Sequence, residues 1–262
     1  MIDLHCHILP DVDDGAPDWE GTLAMMAQAA EAGTRIMVAT PHSHDFWRGE
    51  MPCRETIVQL AGEAQERAVQ VGLELQVLPG QECLIHPNLV EELEQGKWLT
   101  LAGSKTLLLE LPFSLWPPAT ESLVFDLQQA GYTILLAHPE RYSDVAKNPN
   151  LVFDLVEKGV YTQVTRTSIM GAFGNRPREV ARLLLEHGLA HVLASDAHTT
   201  RGRNPRLADA YSQVREWIGE TAARRLVVDT PRALLRDEPI EASEPRRIEE
   251  TRKKRTLFGW FD

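Results

Sequence analysis

Seven short apolar runs alternate with helical stretches along this chain, and polar residues stand where six of those runs stop. The runs are Met1–His7, Arg35–Thr40, Leu73–Leu78, Thr106–Leu109, Tyr132–Ala137, Val160–Val164 and His191–Ala194. Helical spacing fills most of the intervals, over Asp18–Gly33, Cys53–Val71, Asn88–Gln95, Thr120–Ala130, Pro149–Lys158 and Arg176–His187. Two more helical stretches, Pro205–Ile218 and Thr230–Arg236, follow the last strand. Strand and helix in alternation predict parallel βαβ units. Such units build either an open doubly wound sheet or a closed barrel, and the polar residues decide between them. An open sheet gathers its site at one switch point, whereas a barrel brings every strand's C-terminal end around one mouth. His5, His7, His42, Glu82, Glu110, His138, Asp196 and His198 come from six different strands. The reading is therefore an α/β fold, a distorted seven-stranded TIM-like barrel over residues 1–238, with its site at the C-terminal ends of the strands. Residues 239–262 are read as a tail.

The first strand carries the strongest local signal. In MIDLHCHILPDVDDG, alternation places Asp3, His5 and His7 on one side and Leu4 and Cys6 on the other. A carboxylate and two imidazoles do not make an apolar core, and unpartnered buried imidazoles are costly. A divalent metal answers that cost, since neutral imidazole is among its commonest ligands; two hydrogen-bonded core histidines are the alternative. Each remaining residue, taken singly, also has an ordinary role. His42 could be a loop histidine, Glu82 and Glu110 solvated strand ends, His138 a helix cap, and Asp14 a turn or cap residue. Their coincidence at strand ends argues for a shared site. His187 and His191 read as ordinary histidines, His44 and His86 as loop residues near the site.

The chain has 262 residues and a formal net charge of -11, which argues against a basic nucleic-acid-binding surface. No run reaches the roughly 18 apolar residues of a membrane span. No basic region followed by an apolar stretch opens the sequence, and its three cysteines contain no CxxC. A cytoplasmic location is the expectation. None of the cysteines begins a C-x5-R loop, so thiolate chemistry is not indicated.

The segments HCH, VDDG, TPH, GQE, LELP, AHPERY, SDAH and GRNP, in this order over about residues 1–238, resemble the PHP (polymerase and histidinol phosphatase) superfamily. Within it they are most similar to the manganese-dependent protein-tyrosine phosphatases of bacterial capsule and exopolysaccharide systems. The resemblance implies a centre of three divalent ions, manganese first, with iron or zinc as the other candidates. It implies His5, His7, Asp14, His42, Glu82, Glu110, His138, Asp196 and His198 as ligands, and Arg141 and Arg203 as phosphate contacts. It also implies a phosphotyrosine-bearing partner, an autophosphorylating bacterial tyrosine kinase. Where that family often has an Asn and Ser pair, this chain has Thr165 and Arg166, and its Asp45–Phe46–Trp47 loop is its own. Both departures bear on substrate selection rather than on the chemistry.

The chemistry follows from the implied centre. Four carboxylates offset two divalent ions, and a third leaves the site positive, which lets an acidic protein hold a phosphate dianion. Metal lowers the pKa of bound water and makes a hydroxide nucleophile near neutrality. An aromatic rim for an aryl phosphate could come from Phe46, Trp47, Phe113 and Trp116, whose ordinary role is to pack loops onto the barrel. The tail runs from Arg252–Arg255 into Leu257, Phe258, Trp260 and Phe261, a pattern suited to an anionic membrane surface or a partner, or simply to an end that is flexible or packs locally. Two other functions stay open on the residues: hydrolysis of a small phosphomonoester such as histidinol phosphate, and a non-catalytic metal-binding module. Oligomeric state is not legible.

Overall fold

In the computed structural model, residues 1–44 and 51–249 are described. The Phe46–Trp47 loop and the basic and aromatic end of the tail lie outside them. Among the described residues there are eight strands: β1 (Ile2–Cys6), β2 (Ile36–Ala39), β3 (Gln76–Pro79), β4 (Glu82–Leu84), β5 (Thr106–Glu110), β6 (Thr133–Ala137), β7 (Tyr161–Thr165) and β8 (Val192–Ala194). All pair in parallel, in two sheets of order β1-β2-β3 and β4-β5-β6-β7-β8.

Strand count therefore departs from the expected seven. The extra one is β4, and the third expected strand is shifted to Gln76–Pro79. Pro79–Gly80–Gln81 interrupts the run, and the three-residue ECL segment beyond it is too short and too polar to register as a strand. Gly80 is required here, because a Cβ would lie 2.7 Å from Val38 Cγ1. The two sheets meet at isolated parallel bridges, Cys6 with Ala197 and His42 with Glu82. Asp196 N–H donates to His5 O at 2.8 Å and Ser43 N–H to Glu82 O at 2.8 Å, so main-chain bonds tie both seams. Both seams lie at the strand ends that carry the polar residues.

Helices cover the outer faces for simple reasons of pattern. In Arg54–Gln70 the buried residues are Ile57, Ala61, Ala64 and Ala68, one helical stripe whose small side chains let the helix approach closely. Asp18 caps Trp19–Glu31, its Oδ1 accepting from Gly21 N–H at 2.8 Å. Leu4 joins Val38, Leu108 and Leu135 in one apolar cluster, whereas Cys6 joins Met37, Ala39 and Ile57 in another. The two were expected to share a side. The register between β1 and β2 slips between Asp3 and Cys6, and that bulge re-aims the residues after it. No described helix is long and apolar enough to cross a membrane.

His191 has a structural role at the start of β8. It is buried, and its Nδ1 accepts from Thr162 N–H at 3.1 Å. Burial lowers its pKa from 6.5 to about 4. Protons therefore bind the unfolded chain preferentially. The neutral ring's contribution is complete above pH 6.5 and is lost as pH falls toward 4, on the order of 3 kcal/mol in all. Urea unfolding from pH 7.5 down to pH 4.5 should show His191→Asn losing that part of the acid dependence; a slope equal to the wild type's refutes the role.

Candidate metal centre

The polar residues reach the mouth at strand ends, except Glu82, which follows the end of β3 and opens β4. β1 supplies His5 and then His7, whose Nε2 atoms lie 3.1 Å apart. β2 leads to His42, β4 begins at Glu82, β5 ends at Glu110, β6 leads to His138, and β8 leads to Asp196 and His198. His138 and Asp196 turn inward on left-handed backbone, with φ of 34° and 49°. Non-glycine residues in that region cost about 1–3 kcal/mol each, and such strain gathers at functional sites.

All nine residues implied as ligands converge. Their ligand atoms form four overlapping groups, each with atoms within 4.8 Å of one another: His7, Asp14, His42 and His198; His5, His7 and Asp196; His5, Glu82 and His138; His42, Glu82 and Glu110. All but His42 and Asp14 are buried. Glu82 is the hub. Its Oε1 lies 2.9 Å from His138 Nε2, and its Oε2 lies 2.9 Å from His42 Nδ1, 3.3 Å from His5 Nε2 and 3.5 Å from His7 Nε2.

The donor set fits divalent cations on a specific observation. Glu82 Oε2 is buried within reach of three imidazole nitrogens, yet none of those contacts has hydrogen-bond geometry. His198 Nε2 is likewise 3.1 Å from Asp14 Oδ1 without a hydrogen bond. Buried lone pairs left without donors in this way are what a cation would satisfy. Mixed imidazole and carboxylate donors suit manganese, iron or zinc.

The charges point the same way. Burial raises the Glu110 carboxyl to about 8, and the Glu82 charge beside it adds to the effect. Burial opposes the charged form of His5, but Glu82 and Asp196 outweigh it and raise that imidazole to about 9. His42 is raised well above its usual value: burial opposes, and the charge of Glu82 prevails. Burial, followed by Arg141, lowers His138 to about 4; burial, followed by His7, lowers His198 to about 4. Two carboxylates crowded among imidazoles form a site whose protons a divalent cation would displace.

Arg141 and Arg203 stand at the edge of this cluster. Arg141 Nη1 donates to Asp196 Oδ2 and Arg203 Nη2 to Asp196 Oδ1, each at 2.7 Å. Arg203 Nε is buried with no hydrogen-bond partner.

Sequence reasoning missed two residues that orient the imidazoles. Asp13 Oδ2 lies 2.7 Å from His7 Nδ1, and Gln163 Oε1 lies 2.9 Å from His5 Nδ1. Each accepts the proton of one ring nitrogen and leaves the other free to bind. The tandem Asp13–Asp14 in DVDDG was a usable signal; Gln163 in β7 offered none. His86 and His187 pair elsewhere, with Glu92 and with Leu183 O. Cys6 and Cys83 are buried, and burial raises both thiols, which fits the absence of thiolate chemistry.

Arg166, singled out as a departure from the family, is engaged within the protein. It is buried and forks onto Asp209, with Nε 2.9 Å from Oδ1, and the same Nε donates to Arg206 O at 2.9 Å. It thus braces the loop that carries Arg203. Trp116 packs edge-on against Tyr142, at 6.4 Å, so its ordinary packing role holds. Phe113, in contrast, is 42% exposed and stacks on His138 at 5.3 Å, at the mouth.

Fold and site together define the class: a parallel α/β protein whose strand ends converge on a His and carboxylate cluster of metal-ligating composition. Residues 1–236 match the family model for capsular polysaccharide synthesis, CpsB/CapC. The tyrosine-protein phosphatase YwqE of Bacillus subtilis is 36% identical over 261 residues, covering 100% of both chains. The tyrosine-protein phosphatase CpsB of Streptococcus pneumoniae is 31% identical, covering 92% of this chain and 100% of its own. A crystal structure from work on YwqE and CpsB, described as metal-dependent tyrosine phosphatases, superposes with a TM-score of 0.91. It is 34% identical, over 95% of this chain and 100% of that one. This chain belongs to the CpsB/CapC family.

Proposed function

We propose that this protein is a metal-dependent phosphotyrosine-protein phosphatase of a capsule or exopolysaccharide system, acting in the cytoplasm on an autophosphorylating bacterial tyrosine kinase. The observation that carries the reading is the convergence of nine ligating residues in four overlapping groups, with two arginines at their edge. Residues 1–238 form the catalytic unit, its two sheets read as one distorted barrel joined at the His42–Glu82 and Cys6–Ala197 seams. His5, His7, Asp14, His42, Glu82, Glu110, His138, Asp196 and His198 would hold the metals, three divalent ions with manganese first. When bound, these ions supply Lewis acidity and an activated water.

The chain's own residues do the rest. Arg141 and Arg203 hold the phosphoryl oxygens and offset the charge that grows on them during transfer. Asp196 holds the two guanidinium groups in place, and Asp13 and Gln163 keep His7 and His5 in their binding tautomers. Phe113 offers an apolar edge to an aryl leaving group at the mouth.

The test is phosphate release from a phosphotyrosine peptide by metal-stripped protein, before and after adding manganese, beside histidinol phosphate and a phosphoserine peptide. Manganese-restored turnover that favours phosphotyrosine supports the reading. Turnover on the small metabolite alone keeps the centre and discards the protein-phosphatase assignment. No turnover with manganese, iron or zinc discards the activity and favours a binding module.

A further inference from the structure

Phe173 was not among the residues singled out from the sequence, yet its ring touches both arginines. It sits in the turn Met170-Gly171-Ala172-Phe173-Gly174, where Gly171 and Gly174 take φ of 79° and 95° and Gly174 N–H donates to Gly171 O at 2.9 Å. Positive φ at both positions favours glycine, so the pair fixes how the turn presents the phenylalanine between them. The Arg141 guanidinium carbon lies 4.5 Å from the centre of the Phe173 ring and 4.4 Å from that of Phe113, a cation between two aromatic rings. The Arg203 guanidinium carbon lies 5.8 Å from the same Phe173 ring. Phe173 is half-buried and belongs to none of the apolar clusters of the described residues. Its apolar surface is therefore set against guanidinium groups rather than against the core.

Two guanidinium groups side by side repel each other. Asp196 offsets that repulsion on one side with its two oxygens, and an aromatic ring, negative on its face, offsets it on another. We propose that Phe173 is a positioning residue for the arginine pair, holding Arg141 and Arg203 in the arrangement that receives a phosphate dianion. The inference rests on the phosphatase reading and adds the residue that sets phosphate affinity at that site. A leucine would fill similar space without the ring's charge distribution, and a tyrosine would keep the ring.

The experiment uses manganese-loaded full-length protein and titrates inorganic phosphate calorimetrically into wild type, Phe173→Leu and Phe173→Tyr, with metal content and thermal melting measured alongside. Phe173→Leu should weaken phosphate about tenfold, with metal content and melting unchanged. The KM for an aryl phosphate should rise by a similar factor, with kcat falling less. Phe173→Tyr should restore phosphate affinity to within about twofold of wild type. Equal phosphate affinity in Phe173→Leu and wild type overturns the proposal, as does a tyrosine variant that fails as badly as leucine, since shape alone would then be at work. A wild type that neither binds phosphate nor turns over an aryl phosphate defeats the phosphatase reading itself and takes this inference with it. An active wild type beside an unaffected leucine variant defeats the inference alone.

Discussion

Replacing Glu82 by glutamine should lower kcat on the order of 10³-fold and reduce the manganese that the protein retains. The size follows from the position of the carboxylate. Its two oxygens stand 2.9 Å from His138 and 2.9 Å from His42, and one of them also lies 3.3 Å from His5. Few single changes in the site touch as many proposed ligands. Glutamine keeps the volume but removes the charge, and it turns an N–H₂ group toward nitrogens that need their lone pairs for a cation. Neutralising Glu82 relieves Glu110 of a like-charged neighbour but takes from His5 and His42 the charge that raises them, so the melting temperature is expected to fall as well. Steady-state kinetics, metal analysis and thermal melting on one preparation separate these effects. A variant with full activity and full metal content would show that Glu82 is not a ligand, and the centre would have to be drawn without it.

Arg203→Lys should lose about 10²-fold in kcat/KM on a phosphotyrosine peptide while retaining its metal. The reason is geometric rather than a matter of net charge. Arg203 commits Nη2 to Asp196 at 2.7 Å, and the same planar group keeps further N–H donors, among them an Nε with no hydrogen-bond partner. A lysine ammonium carries the charge as a single point and cannot serve Asp196 and a phosphoryl oxygen from separate donors fixed in one plane. Arg141 still holds the other Asp196 oxygen at 2.7 Å, which is why metal should remain. Activity within about twofold of wild type would remove Arg203 from phosphate binding. Loss of metal along with activity would instead assign Arg203 to holding Asp196 in place.

The candidate ligands were legible because their chemistry repeats in one dimension. A strand buried on both faces reads as an apolar run, and a histidine or carboxylate at its end interrupts that run visibly, as at His42, Glu110, His138 and Asp196. Glu82 was legible because it follows the end of the run that became Gln76–Pro79, although the strand it begins was not. What orients the candidate ligands was hidden. Gln163 meets His5 across 158 positions of chain, and nothing local distinguishes a glutamine in β7 that binds an imidazole from one that faces solvent. The side chains of Leu4 and Cys6 followed no simple alternation, because a one-residue bulge against β2 shifts the pattern midway along β1. Arg166 looked like a change in the substrate pocket and is a brace for the Arg203 loop, a role visible only once Asp209 is beside it.

By itself the sequence determined the parallel α/β fold and pointed, through its motifs, to the candidate ligands, since hydrophobic period and motif chemistry are properties of short segments. Only the tertiary structure decided which ligands share a group, which aspartate of DVDDG meets His7 Nδ1 and which approaches His198, and that Phe173 lies beneath both arginines. Those facts depend on how the two sheets meet at their seams and on where a bulge and two glycines redirect the backbone. Contacts between residues far apart in the chain arise only when the whole fold closes around them.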